Sequence, residues 1–213
     1  MLRQIQQLLT ELYDLSPVAD VEEFVCGPEL LEATLGEHAR ARGEVLLVLE
    51  DEAGVHVALY LDPEALRALH ADEGLPSPER ASFSAACLAT EGVSHFLYLS
   101  FRAENAHQVS QLELELQAEV DKYAAHLLAG NGVGAIRERS RILRERLFEG
   151  ARFLDAPESV EGERYRTAHR LAARYAAALE RRYVDRGRLA ELAVELRRFY
   201  RMGAREKLEW IRQ

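Results

Sequence analysis

The spacing of apolar residues changes period several times along the chain, and each change marks an element. Leu2, Ile5, Leu8, Leu9 and Leu12 recur at three- and four-residue intervals, which places them on one side of a helix over residues 2–15. Asp20 followed three residues later by Glu23 is a capping-box pattern, so a short helix is expected to start there. Leu30 to about Arg40 is another helical stretch. The period then switches. Residues 44–49 and 55–61 are β-rich runs separated by Glu-Asp-Glu-Ala-Gly, which predicts a hairpin over 44–61. Two strands alone are marginal, so this hairpin needs helices over one face or a third strand, for which residues 23–26 are the candidate.

Beyond the hairpin the pattern is helical to the end. Asp62-Pro63 starts a helix, because Asp caps free amides and Pro at the first helical position gives up no needed hydrogen bond. Ser77-Pro78 repeats the device and predicts a long helix over 78–103. Ser110-Gln-Leu-Glu113, flanked by Val109 and Leu114, is a capping box with a hydrophobic staple and opens a helix over 110–129. Leu112, Leu114 and Leu116 alternate like a strand, but Leu, Glu, Gln and Ala are helix formers. Further helices are expected near 135–149, 161–184 and 187–202, with a short terminal one carrying Trp210. The expected fold is α+β and predominantly α-helical: helices packed around a central antiparallel helix pair, with one short β-hairpin in the N-terminal third. No linker or repeat interrupts residues 1–213, so a single domain is expected.

Composition narrows the picture. With 48% hydrophobic and 30% charged residues the chain can fill a core. Two cysteines, Cys26 and Cys87, are too few for a disulfide framework, and Cys87 lies in an Ala-rich run that suits a small core side chain. The opening MLRQIQQLLTELYDL has one Arg and no continuous apolar stretch, so it reads as an amphipathic helix rather than a leader. No segment approaches the roughly 18 apolar residues of a bilayer span, and a cytoplasmic location is expected. Lys122 and Lys207 are the only lysines among 27 basic residues. With the abundant Ala, this points to a GC-rich bacterial genome and lowers the functional weight of any Arg cluster.

Charge is divided unevenly. Residues 1–130 hold 23 acidic and 7 basic residues, a balance of −16, whereas 131–213 hold 13 and 20, a balance of +7. Such asymmetry can mark a nucleic-acid-binding half. Here the Arg-rich half is interspersed with acids and carries no RNP motif, zinc-finger spacing or helix-turn-helix, so nucleic acid is disfavoured as a partner. The simpler reading is that basic helices pack near acidic ones.

On helical wheels the two central helices each carry a polar stripe beside an apolar face. Glu91, His95, Tyr98 and Arg102 line one; Gln111, Glu115, Glu119, Lys122 and His126 line the other. The short connection makes the helices antiparallel neighbours. Counting away from it sets Arg102 level with Gln111, Tyr98 with Glu115, His95 with Glu119, and Glu91 with Lys122. As structure, this is a polar zipper that fixes helix register. As a site, Glu91, His95, Glu115, Glu119 and Lys122 could move protons, and Glu91, His95, Glu115 and Glu119 could hold a divalent metal. Against metal stand the missing Glu-x-x-His spacing of carboxylate-bridged bundles and the charge of Lys122.

His169 lies on the apolar face of its own helix and would complete the central group if that helix packs across it. Glu113 reads as a capping residue. His38, His56, His70 and His107 show no ligand spacing, and Gly130–Gly134 follows a helix with the wrong spacing for a dinucleotide loop. No G-x-S-x-G, H-E-x-x-H or Walker pattern is present. The sequence therefore leads first to a non-catalytic interaction or accessory protein of a bacterial cytosol, with an unnamed protein partner or a homodimer. The alternative is a small enzyme, possibly a metal-assisted hydrolase, working at the Glu/His stripe between helices 78–103 and 110–129.

Overall fold

A computed structural model describes residues 1–16, 18–36, 43–52, 54–70, 72–129, 136–151 and 153–213. Helix α1, Leu2–Tyr13, buries Leu2, Ile5, Leu9, Leu12 and Tyr13, the face its spacing predicts. Asp20 caps a single 3₁₀ turn, Val21–Phe24, by accepting from the Glu22 amide. Strand β1, Val25–Cys26, follows, and then helix α2, Pro28–Leu35. The C-terminal part of the helix expected over 30–40 and the Gly130–Gly134 segment lie outside the described residues.

Strands β2, Glu44–Asp51, and β3, Gly54–Leu61, form the hairpin, paired from Glu44 opposite Leu61 to Asp51 opposite Gly54. Gly54 sits at a φ of 133°, which only glycine adopts without strain. β1 adds to the other side of β3 in parallel, so the third strand is present and the order is β1-β3-β2. One sheet face gives Leu46, Val57, Leu59 and Leu61 to the main core. The other packs Tyr60, Val45 and Leu47 against Leu31 and Leu35 of α2.

Asp62 caps helix α3, Pro63–Leu69. The long central helix α4 is Phe83–Glu104, so it starts five residues later than Ser77-Pro78 predicts. Residues 77–83 make turns instead, in which Arg80 N–H bonds Ser77 O and Phe83 N–H bonds Arg80 O. The Arg80 side chain reaches back to Asp72. The helix forms only where Phe83 and Ala86 offer a face to bury. Helix α5, Gln111–Leu128, is capped by the Ser110 hydroxyl, which accepts from the Glu113 amide at 3.2 Å.

Helix α6, Ile136–Arg144, runs on into a π-helical turn, Glu145–Glu149. α7, Val160–Leu179, ends in another, Glu180–Val184. α8, Leu189–Arg201, and α9, Ala204–Arg212, complete the chain. α5 packs between α4 and α7, and α1 packs across α4 and α8. One contiguous core reaches from Leu2 to Ile211. The fold is predominantly α with one small sheet. Among the described residues no helix is long and apolar enough to cross a membrane.

One contact positions the site. Gly92 is where α4 crosses the sheet: a Cβ there would come within 2.9 Å of Leu59 Cδ1 and 3.2 Å of Glu44 Cγ. The missing side chain lets β2 lie against α4 and brings Glu44 beside Glu91 and His95.

Candidate functional site

A cleft of about 1160 Å³ opens on one side of the α4–α5 pair. Its floor carries Glu44 from β2, Glu91 from α4, Glu119 and Lys122 from α5, and His169 from α7. Phe83, Leu88, Phe153 and Leu154 supply apolar wall. The π-helical turn after α6 contributes Glu145, Arg146 and Leu147 to the rim. Such turns recur at functional sites because they re-aim side chains without ending the helix.

The floor is a chain of charge contacts. Lys122 Nζ donates to Glu91 Oε2 at 2.9 Å and to Glu119 Oε1 at 2.8 Å. The other Glu119 oxygen lies 3.5 Å from His169 Nδ1, while His169 Nε2 is 3.1 Å from the Phe148 carbonyl. Just behind the floor, the His95 ring lies between two carboxylates, with Nδ1 at 3.2 Å from Glu44 Oε1 and Nε2 at 3.6 Å from Glu115 Oε2. That second distance is too long for a hydrogen bond, and Nε2 is buried without a partner. Arg164 of α7 stands 3.9 Å from Glu115. One donor atom from each of Glu91, His95 and Glu115 lies within 4.8 Å of the other two.

Two carboxylates sharing one lysine are pushed in opposite directions. Burial, with Glu44 close by, raises the Glu91 pKa against the pull of Lys122. Burial works against the Glu119 charge too, but Lys122 and His169 overcome it and hold that carboxyl at about 2. Burial likewise opposes the charges of Lys122 and His95. Glu119 and Glu91 outweigh it at the first, and Glu44 and Glu115 at the second, so both stay protonated well above their ordinary values. Cys87 also lines the cleft, and burial pushes its thiol up to about 12, which leaves it a poor nucleophile.

The residues singled out in the sequence meet, but not at the expected levels. Glu91 pairs with Lys122 as counted. His95 faces Glu115 rather than Glu119, whose free oxygen is taken by His169. Tyr98 donates to Glu113 at 2.6 Å rather than to Glu115, and Arg102 also approaches Glu113. Gln111 accepts from Arg164. Thus the Glu113 amide is capped as expected, while its carboxylate is buried in the core. His126 leaves the stripe to pack edge-on against Phe83, where burial lowers its pKa to about 4. Glu44 and Arg164 went unnoticed. The signal for Glu44 was its place on the inward face of β2, in line with Leu46.

A second polar group lies on the opposite side of the pair and is sealed. Asp121 of α5 accepts from Ser94 Oγ at 2.6 Å, from Gln117 Nε2 at 2.7 Å, and from the Tyr13 hydroxyl. Lys207 of α9, with no exposed surface, donates to Gln117 Oε1 at 2.7 Å and to the Tyr98 hydroxyl at 2.8 Å. It also lies over the Tyr98 ring. Burial pushes Asp121 up to about 6 and Lys207 down to about 7. Neither residue lines the large cleft. In comparison with known proteins, the chain matches no family model, no curated protein sequence and no solved structure.

Proposed function

We propose that this chain is a small enzyme that carries out acid–base chemistry, most simply a hydrolysis, on a small organic molecule held in the cleft. One observation carries the reading: Glu91, Glu119, Lys122 and His169 come from three helices to the floor of an open, partly apolar cleft, not to a sealed helix interface. A polar group held at the base of an apolar pocket, with pKa values driven apart, suits proton transfer. Burial raises the Glu91 pKa, and Glu119 stays ionised beside it. Acidic groups outnumber Lys122 and Arg146 around the cleft, so a neutral or cationic substrate fits better than an anion.

A thermal-shift screen of small cationic, neutral and anionic compounds tests this, followed by hydrolysis assays on the compounds that bind. Neutral or cationic compounds should raise the melting temperature, and a Leu88→Trp substitution that fills the cleft should abolish the effect. Stabilisation by anions alone, or by nothing in the screen, would defeat the reading.

A second reading, an interaction or accessory protein, has its own observation. Val48, Leu49 and Val55 are exposed toward the tip of the hairpin. Among the described residues β2 pairs with β3 alone. An apolar strand edge of this kind favours association. Light scattering across a concentration series would reveal a homodimer and so support this reading.

A further inference from the structure

We infer that Glu91, His95 and Glu115 form a binding site for one divalent first-row transition-metal cation, zinc or manganese, with Glu44 as the outer partner of the histidine. This deepens the enzyme reading by giving it a cofactor. Its test reads metal binding alone, so it can fail while the cleft still takes a ligand, and the reverse.

The two carboxylates on either side of the His95 ring suit a metal-binding imidazole. A ligating histidine turns one ring nitrogen to the metal and gives the other N–H to a carboxylate, which fixes the ring and its tautomer. His95 Nδ1 has that carboxylate in Glu44, at 3.2 Å. The other nitrogen, Nε2, is on a side chain only 9% exposed, has no hydrogen-bond partner, and points at Glu115 from 3.6 Å. Two atoms that each lie about 2.1 Å from one ion at a tetrahedral angle are about 3.4 Å apart. The Nε2–Oε2 separation therefore fits two ligands of one ion better than a donor and its acceptor. Glu91 brings the third donor atom within 4.8 Å of both. Its side chain is 22% exposed.

Charge points the same way. Four carboxylates, Glu44, Glu91, Glu115 and Glu119, face Lys122 and Arg164 within one partly buried cluster. Lys122 is the element that works against an ion. It occupies one oxygen of Glu91, and a carboxylate has a second. Three protein ligands leave positions open on the ion, the pattern of reactive rather than structural sites. Coordination replaces any proton on Nε2 and on the ligating oxygen of Glu91.

Isothermal titration of metal-stripped full-length protein with zinc chloride, and separately with manganese chloride, tests the site. One equivalent should bind. His95→Ala and Glu115→Gln should each weaken binding at least 100-fold, and Glu44→Gln by roughly 10- to 100-fold. Lys122→Met should tighten it. His56→Ala, at the exposed His56–Asp51 pair, should change nothing. If the core variants fail to fold, manganese added to the wild-type protein must broaden the amide NMR signals of residues 91–96 and spare those around His56. No saturable binding up to 1 mM, binding removed by His56→Ala, or broadening confined to the surface would each overturn the inference.

Discussion

The two polar groups on either side of the α4–α5 pair are built from similar residues and differ in their access to solvent. On the sealed side, Asp121 accepts three hydrogen bonds and Lys207 donates two, and the ammonium rests over the Tyr98 ring. On the open side, Lys122 is shared by Glu91 and Glu119, His95 Nε2 has no partner, and the floor faces a cleft. Buried charge alone therefore does not mark a site. The two groups differ in access and in the unpartnered His95 Nε2, the features that favour binding over a purely structural role.

The sealed side should be the more sensitive to substitution. Asp121→Ala leaves the donors of Tyr13, Ser94 and Gln117 without their acceptor, and should cost about 3–5 kcal/mol in chemical denaturation. A loss below about 1 kcal/mol would remove the structural assignment of that group.

Next in size is a pH dependence that belongs to Lys207. Its folded pKa is about 7, below the ordinary lysine value that applies in the unfolded chain. As pH rises from about 7 toward 10, the unfolded chain keeps a proton that the folded protein has released, so stability should increase, by on the order of a few kcal/mol. Asp121, raised to about 6, acts in the other direction: stability should fall as pH rises from about 4 to 6. Denaturation at a series of pH values should show a shallow minimum between these windows, and Lys207→Met should flatten the alkaline side.

On the open side, Glu119→Gln should cost about 1–3 kcal/mol, because Lys122 and His169 both lean on an ionised carboxylate. That contribution is present above about pH 4.5 and is lost as pH falls toward 2, through the lowered pKa of Glu119. Smallest of all should be changes toward the hairpin tip. Val48→Thr or Leu49→Lys should move stability by no more than about 0.5 kcal/mol, since both residues are exposed. Their effect, if any, should appear in light scattering.

The elements were more legible in the sequence than the contacts. The hairpin and the start of α5 were readable because turn residues, alternation and the Ser110 cap are local signals, and the third strand followed only from the marginal stability of two strands. Register was not. Level counting treats two helices as isolated, whereas His169 of α7 takes one oxygen of Glu119 and Glu44 of β2 takes one nitrogen of His95. Neither neighbour's packing is written in local periodicity. Ser77-Pro78 misled because a cap and a proline mark only a permitted start, while α4 begins where Phe83 has a core to enter. The lysines carried a signal that composition nearly revealed. In a chain that uses Arg almost everywhere, both Lys122 and Lys207 are buried in polar groups, each ammonium shared between two partners.

Glu91 shares the lysine of Glu119 but lies crowded against Glu44 and open to the cleft. Chemical denaturation of the Glu91→Gln variant beside wild type at pH 7 is the measurement. Burial and Glu44 oppose the Glu91 charge, whereas Lys122 and His169 outweigh burial at Glu119, so the Glu91 variant should be as stable as wild type or more so. A loss of about 1–3 kcal/mol, matching Glu119→Gln, would make the open group a second structural zipper and contradict the distinction between the two sides.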